Sequence, residues 1–326
     1  MADIFNHPLL RSILEKNPIT MIDIGASGDF PERFKKAKGL LKVLGFEPDV
    51  RAFRKLQSTE SIVYINEALA DSDRDIKFFL TRKQECSSFY QPNHDFLKQF
   101  PDAQRLDVVG EISFHAKQLT MELLTRHGVE DPDFIKLDAQ GFELDILRGA
   151  SAIIDNLIFG IEVEVEFAQL YNNQPLFSDV DIFLRKKGFS LFDLKKYYFK
   201  RKAGINSGID KGQLIFADAL YFKTYEALMD VMMNQKNDYK KAKIMKAISL
   251  CQIYGISDYA LYLCEKATDD KLFKLSESML LYKAIYKKGF VMSFKGKGRL
   301  AKLLYRPFKY LNSTKYYFTD VELGNE

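Results

Sequence analysis

The segment Met21-Ile22-Asp23-Ile24-Gly25-Ala26-Ser27-Gly28 runs an apolar strand into a glycine-bearing turn, and Gly45-Phe46-Glu47-Pro48-Asp49 answers it about twenty residues later. No other feature restricts the fold as tightly. A strand, a glycine turn and a second strand ending in an acid belong to an open α/β sheet that grips an adenosine-containing ligand. The glycines let the backbone approach, and the carboxylate accepts hydrogen bonds from ribose hydroxyls. A dinucleotide fingerprint needs Gly-x-Gly-x-x-Gly with its first glycine at the tight turn. Here that position is Asp23, an anion where a pyrophosphate would sit, and only Gly25 and Gly28 follow. Such a site suits a cationic ligand with a free amino group, as S-adenosylmethionine is, and disfavours NAD.

At 326 residues the chain exceeds the usual domain size of roughly 100–200 residues, so one large domain with an appendage is expected. A hydrophobic content of 47% and a charged content of 28% are those of a soluble globular protein. Cys86, Cys251 and Cys264 are widely spaced and in no metal-ligand pattern, which points to reduced thiols. The N-terminus has no basic start and no apolar run of signal-peptide length, and nothing approaches the ~20 apolar residues of a membrane span. A cytoplasmic protein is expected, with peripheral contact at the inner membrane surface open.

From Ile19 to Lys223 short apolar strands alternate with helical segments, the pattern of a doubly wound, mostly parallel sheet. Strands are predicted at 19–24, 41–46, 62–65, 134–138 and 157–165, with an extra strand at 76–80 and a closing antiparallel pair at 189–194 and 213–222. Helices are predicted at 30–38, 49–56, 120–128, 141–150 and 178–187, the third capped by Thr120 and the last stopped by Gly188. The irregular stretch 81–110 is long enough to be functional. After Thr224 only helical periodicity remains, at 226–234, 239–254, 258–267 and 272–285. The chain thus divides into an N-terminal arm or helix (1–18), the α/β domain (19–224), a helical module (225–286) and a basic aromatic tail (287–326).

Charge is unevenly spread. Residues 283–315 hold ten Lys or Arg and no Asp or Glu, so the formal net charge of +4 conceals a body at −6 and a tail at +10. Phe290, Phe294, Leu300, Leu303, Leu304, Tyr305 and Phe308 are interleaved with those charges. Such a segment can lie on an anionic membrane surface, grip a polyanion, or pack as a solvated basic face on the acidic body.

In doubly wound sheets ligands bind beyond the carboxyl ends of the strands. The first strand end offers Asp23, Gly25, Ala26, Ser27 and Gly28; the second Glu47 and Pro48; the third Asn66, Glu67 and Ala68; the fourth Asp138, Gln140 and Gly141; the fifth Glu164 and Glu166. Strand alternation places Lys136 with Asp138 on one side of the fourth strand, and Glu162, Glu164 and Glu166 on one side of the fifth. Crowded carboxylates have raised pKa values, which suits a general base. Asp138, Glu164 and Lys136 are therefore the candidate catalytic residues. Asp23, Gly25, Ala26, Ser27, Gly28, Glu47, Pro48, Glu67, Ala68 and Asp138 are the candidate cofactor-binding residues. His7, His94, His115 and His127 have no metal-ligand spacing, so no metal is predicted.

The chain resembles the FkbM-type methyltransferases. The resemblance rests on Asp23-Ile24-Gly25-Ala26-Ser27-Gly28, Phe46-Glu47-Pro48, Ser87-Ser88-Phe89 and, above all, Phe134-Ile135-Lys136-Leu137-Asp138-Ala139-Gln140-Gly141-Phe142-Glu143-Leu144 followed by Leu147-Arg148-Gly149-Ala150. Glu164-Val165-Glu166-Phe167 with Leu170-Tyr171, and Ala217-Asp218-Ala219-Leu220-Tyr221-Phe222, are similar as well. It implies a class I S-adenosylmethionine fold with a seven-stranded sheet, and O-methylation of a hydroxyl on a sugar or related metabolite. Gln140 departs from the family's common Glu, and the helices beyond Thr224 lie outside the resemblance. Two rivals remain. A nucleic-acid methyltransferase is prompted by the basic tail but lacks the Pro-Pro-aromatic motif after the fourth strand. A non-catalytic Rossmann-like binding module would have no affinity for the donor.

Overall fold

The computed structural model describes residues 4–28, 30–206, 211–286, 298–300, 303, 305, 307, 317–319 and 323. In chain order the strands are β1 (Ile19–Ile24), β2 (Leu41–Phe46), β3 (Ile62–Ile65), β4 (Leu69–Ala70), β5 (Arg74–Thr81), β6 (Val108–Gln118), β7 (Phe134–Leu137), β8 (Gly160–Glu166), β9 (Phe189–Phe199), β10 (Gln213–Lys223) and β11 (Tyr317–Thr319). The helices are α1 (Pro8–Leu14), α2 (Val50–Phe53), α3 (His94–Leu97), α4 (Met121–Arg126), α5 (Glu143–Gly149), α6 (Ser151–Asn156), α7 (Phe177–Lys186), α8 (Tyr225–Val231), α9 (Asn237–Ile253), α10 (Ser257–Asp269) and α11 (Leu275–Ile285).

The main sheet has the order β11-β9-β10-β8-β7-β1-β2-β3. Strands β3, β2, β1, β7 and β8 run parallel, and β10, β9 and β11 join antiparallel at one edge. This is the expected class I methyltransferase arrangement with one strand added: the sheet has eight strands, not seven, because β11 extends its edge. Every residue of β1 is buried, as a central parallel strand covered on both faces requires. Thr120 caps α4 through its side chain, and Gly188, at φ +80°, stops α7.

A second sheet, β4-β6-β5, packs beside the first. Its long strand β6 starts at the end of the stretch expected to be irregular, 81–110, and runs on through residues for which no element was predicted. Residues 108–115 alternate between half-buried and exposed along it, so its apolar face is thin, and Gly110 removes a side chain from that face. Two expected helices are shorter than their periodicity suggests: 30–38 is a 3₁₀ turn at Glu32–Ala37, and 49–56 contracts to α2.

Those two short connections leave one face of the sheet under-covered, and the C-terminal helices fill it. Ile19, Met21, Leu41, Val43, Phe134 and Phe222 of the sheet share one hydrophobic core with Ile244, Ile248, Cys251 and Tyr254. Helix α9 is buried almost all round and touches α1, α10 and the Glu32–Ala37 turn. The residues read as a helical module therefore lie on the sheet, not apart from it. The other face carries α4 to α7 over Ile22, Leu44, Ile135, Ile161 and Val163.

Candidate active site

The carboxyl ends of β1, β2, β7 and β8 open into a cleft of about 550 Å³. Gly25 forms its floor at φ +76°, and its N–H donates to the Phe46 carbonyl at 2.9 Å. A Cβ at Gly25 would stand 1.8 Å from the Asp138 carbonyl oxygen, so only glycine lets these two strand ends meet. Asp138 in turn donates its N–H to the Ile24 carbonyl at 3.0 Å.

Glu47, at the end of β2, is buried, and its Oε1 accepts the Asp49 N–H at 2.8 Å. Asn66 clamps this corner by donating to the Glu47 and Pro48 carbonyls. Burial, opposed only in part by the Asp49 N–H, pushes the Glu47 carboxyl up to about 7. Glu67 accepts from Lys117 at 2.6 Å, while its Oε2 is buried with no hydrogen-bond partner among the described residues.

Across the cleft, Gln140 holds the catalytic candidates together. Its backbone is left-handed at φ +52°, a conformation non-glycine residues adopt only when their surroundings impose it. Those surroundings are visible. Ser88 Oγ donates to the Gln140 carbonyl at 2.7 Å, and Glu143 Oε1 accepts the flanking N–H groups of Ala139 and Gly141. The Gln140 amide then donates to Asp138 Oδ1 at 2.9 Å and to Glu164 Oε1 at 3.3 Å, and its Oε1 accepts from the Tyr171 hydroxyl at 3.1 Å. Burial holds the Glu164 carboxyl well above its usual value, reinforced by Asp138, Glu166, Glu143 and Asp218.

Among the described residues the cleft presents six carboxylates (Glu47, Asp49, Glu67, Glu85, Asp138, Glu164) against two cations, Lys83 and Arg105. Its outer wall is aromatic. Phe199, Phe216 and Tyr317 line it, with Phe199 lying 5.9 Å from each of the other two rings, and Tyr197 stacks behind Phe216 at 4.3 Å.

Of the sequence-predicted site residues, Gly25, Ser27, Glu47, Pro48, Glu67, Asp138 and Glu164 line the cleft. Ala26, Gly28 and Ala68 flank it. Asp23 and Lys136 do not reach it. They sit opposite each other in the β1–β7 register and pair at 3.2 Å, in a row that continues to Glu162. Asp23, Glu162 and Asp138 keep the Lys136 ammonium protonated by raising its pKa against the cost of burial. Tyr254, just after α9, donates its hydroxyl to Glu162, and Arg33 stacks over the Tyr254 ring. Lys136 therefore belongs to an ion-pair row under the sheet's α9 face. Glu164, two residues further along β8 on that same face, does reach the ligand space. The lining residues not singled out from sequence come from the 83–89 segment, Arg105, Leu170, Tyr171 and the aromatic edge. Ser87-Ser88-Phe89 and Leu170-Tyr171 were legible only as shared family motifs.

Residues 22–191 match the family described as the Methyltransferase FkbM domain. The chain belongs to the FkbM methyltransferase family. It is an S-adenosylmethionine-dependent methyltransferase. A curated relative, the 2-O-methyltransferase NoeI of Sinorhizobium fredii (strain NBRC 101917 / NGR234), is 25% identical over 188 residues, which is 54% of this chain and 75% of that protein. Similar solved structures include magnesium protoporphyrin IX methyltransferase (ChlM) from Synechocystis PCC 6803 with bound SAM, at 10% identity and a TM-score of 0.32, over 68% of this chain and 81% of that one. An S-adenosylmethionine-dependent methyltransferase from Listeria monocytogenes, described as putative, shows 10% identity and a TM-score of 0.32, over 66% and 98% of the two chains. The cleft fits the methyl donor in its own right: an acid-rich rim suits a cation, the glycine floor admits a close backbone approach, and Glu67 Oε2 awaits a donor. Among the described residues no three His, Cys, Asp or Glu side chains are grouped to hold a metal ion.

Proposed function

We propose that this FkbM methyltransferase transfers a methyl group to a hydroxyl oxygen of a sugar or a related polyhydroxylated metabolite. The observation that carries the proposal is the Asp138–Gln140–Glu164 arrangement facing an aromatic wall. When bound, S-adenosylmethionine supplies an electrophilic methyl group on a positively charged sulfur. Glu47 would accept hydrogen bonds from its ribose hydroxyls, the Gly25 turn and Ser27 would meet it through the backbone, and Glu67 would take one of its donors.

The acceptor occupies the side of the cleft between Asp138 and Phe199. A sugar hydroxyl is a weak nucleophile, and Glu164, whose carboxyl is held above the usual range, is suited to take its proton as the new bond forms. Asp138 orients the same hydroxyl. Gln140 fixes both carboxylates, because its amide has one hydrogen for each. The aromatic wall offers apolar faces to the C–H surface of a ring and keeps water out. The name of NoeI records O-methyl transfer in a relative, which favours oxygen as the accepting atom.

An acid-lined cleft repels a phosphodiester chain, so the same geometry argues against a nucleic-acid acceptor. The deciding experiment is methyl transfer from labelled donor to a panel of free sugars, sugar nucleotides and glycolipids, run beside an RNA arm. Transfer to a hydroxylated sugar, abolished in Glu164→Gln with donor binding intact, supports the proposal. Transfer to RNA alone overturns it.

A further inference from the structure

The basic stretch 283–315 lies mostly outside the described residues, and the cations that bear on the acceptor are those inside the cleft. Among the described residues two line it, Lys83 and Arg105, and backbone pairing sets them side by side. Beyond Thr81 and Val108, where the β5–β6 register ends, the ladder continues: Arg82 donates its N–H to the Asp107 carbonyl and Lys83 to the Arg105 carbonyl, each at 2.9 Å. Thr81 Oγ1 locks this corner by donating to the Lys83 carbonyl at 2.6 Å.

Neither charge is spent on a protein carboxylate. Arg105 is half-buried, and among the described residues its guanidinium makes no ion pair; it lies over the Phe199 ring, 5.3 Å from the centre. Asp107 pairs with Arg82 instead, and Arg51, beside Ser87, is held by Asp49. Burial pushes the Cys86 thiol up, and Arg105 and then Lys83 oppose that rise against Glu85 and Asp138, so both cations act at one place on the wall. That place adjoins the reacting groups. The Tyr171 hydroxyl lies 2.9 Å from the Cys86 carbonyl and 3.1 Å from Oε1 of Gln140, whose amide holds Asp138 and Glu164. A guanidinium drawn part-way out of water with no anion beside it weakens the empty protein, and an arriving anion offsets that cost.

We infer that Arg105, assisted by Lys83, selects an acceptor that carries a negative group, a carboxylate or a phosphate, on or next to its sugar ring. The inference rests on the O-methyl transfer proposed above and names its substrate class. With the hydroxyl at Glu164 and the C–H face of the ring on the aromatic wall, the anion meets the guanidinium fork, which matches two oxygens at once. The other charged residues lining the cleft are carboxylates, so a single negative group has one favourable seat, and that seat fixes which hydroxyl reaches Glu164. A phosphodiester chain would have to run past the carboxylates as well, so a nucleic acid remains disfavoured.

The test is calorimetry on the full-length protein saturated with S-adenosylhomocysteine and titrated with glucose, glucuronate and glucose 1-phosphate. One charged sugar or both should bind about 10-fold or more tightly than glucose, and the stronger of the two identifies the group as carboxylate or phosphate. Arg105→Gln should weaken that binding about 10–100-fold, and Lys83→Gln about 2–5-fold. Arg105→Lys, which keeps the charge but not the fork, should recover part of the loss. S-adenosylhomocysteine affinity should match wild type in all three variants. Lys83 is exposed, so its variant still reports if Arg105→Gln fails to fold. Equal affinity for the three sugars, no binding of either charged one, or binding that no variant weakens overturns the inference. So does a matching loss of S-adenosylhomocysteine affinity in Arg105→Gln, which would assign the guanidinium to the donor's own carboxylate. Neutral sugars methylated as fast as charged ones overturn it too, while leaving O-methyl transfer to sugars standing. Transfer to RNA alone overturns the proposed function, and the calorimetric arms still decide this inference.

Discussion

Two of the buried charge clusters among the described residues are built on opposite principles. Under the α9 face, Lys243 lies 2.6 Å from Asp133 and 2.7 Å from Asp131, and Lys246 lies 3.0 Å from Asp133 and 3.1 Å from Asp131. Asp133 also accepts the Thr20 N–H at 2.8 Å, so two anions, two cations and a backbone donor close on each other. At the cleft, Glu164 and Asp138 share the amide of Gln140, and Glu166, the next residue on that face of β8 and outside the cleft lining, has a buried Oε1 without a hydrogen-bond partner among the described residues. Compensated charge anchors α9 to the sheet. Uncompensated charge, which weakens the empty fold, is retained where a cation must bind and a proton must move. If that contrast is correct, neutralising a residue in one cluster should do the reverse of neutralising one in the other.

The largest effect is expected from Glu164→Gln. Loss of the proton acceptor should lower kcat about 10²–10⁴-fold. Donor affinity should hold, and the unliganded protein should unfold at a higher temperature at pH 8, because a carboxyl whose ionisation burial disfavours has been replaced by a neutral amide. Steady-state kinetics, calorimetry and a thermal scan on one preparation decide this; a kcat within threefold of wild type removes Glu164 from the chemistry. Next comes Lys243→Ala, which leaves the buried Asp133 and its neighbour Asp131 with Lys246 as their one remaining cation among the described residues. Urea unfolding should show a loss of about 3–5 kcal/mol, the usual cost of breaking a buried pair from one side. At a temperature where the variant stays folded, its donor affinity should equal that of wild type. A loss below about 1 kcal/mol would erase the distinction between the two clusters.

The two clusters also differ in how far sequence alone exposes them. Gly25, Glu47, Glu67, Asp138 and Glu164 are legible because each ends a strand, and strand ends converge in any doubly wound sheet. Lys136 shows where that logic stops. Alternation gives its face but not its depth, and its partner Asp23 arrives by β1–β7 register, 113 residues away. The aromatic wall is hidden for a related reason: Phe199, Phe216 and Tyr317 meet only because β9, β10 and β11 pair at the sheet edge. Helix α9 was readable as a helix but not as the sheet's cover. Its buried Lys243 and Lys246 look like solvent-facing residues until Asp131 and Asp133 stand opposite them. Local pattern reports elements and strand ends; compensation between distant charges is a tertiary fact.

A third substitution, Glu47→Gln, separates binding from burial at the ribose corner. Donor affinity should fall about 10–100-fold, as expected on losing a charge-assisted hydrogen bond worth ~1.5–3 kcal/mol. Since the carboxyl titrates near 7, wild-type affinity should itself weaken as pH is lowered through that value, while the variant's should not.

The smallest effect lies in the stability of the same variant without ligand, and its sign is diagnostic. The Glu47 carboxyl titrates near 4.5 when the chain is unfolded and near 7 when folded, with burial as the main cause. Between those values the native state binds the proton and the unfolded state does not, so native stability declines as pH rises. Below about 4.5 both states are protonated and the contribution vanishes; above about 7 both are ionised and it is constant. Glu47→Gln removes this dependence. The variant should therefore match wild type near pH 4.5 and exceed it by about 1–3 kcal/mol at pH 8, measured by urea unfolding at both values. For a paired carboxylate such as Asp131, which the two lysines hold below its usual range, neutralisation should instead cost stability at pH 8. Parallel curves for Glu47→Gln and Asp131→Asn would mean that the cleft's anions are as well compensated as those under α9.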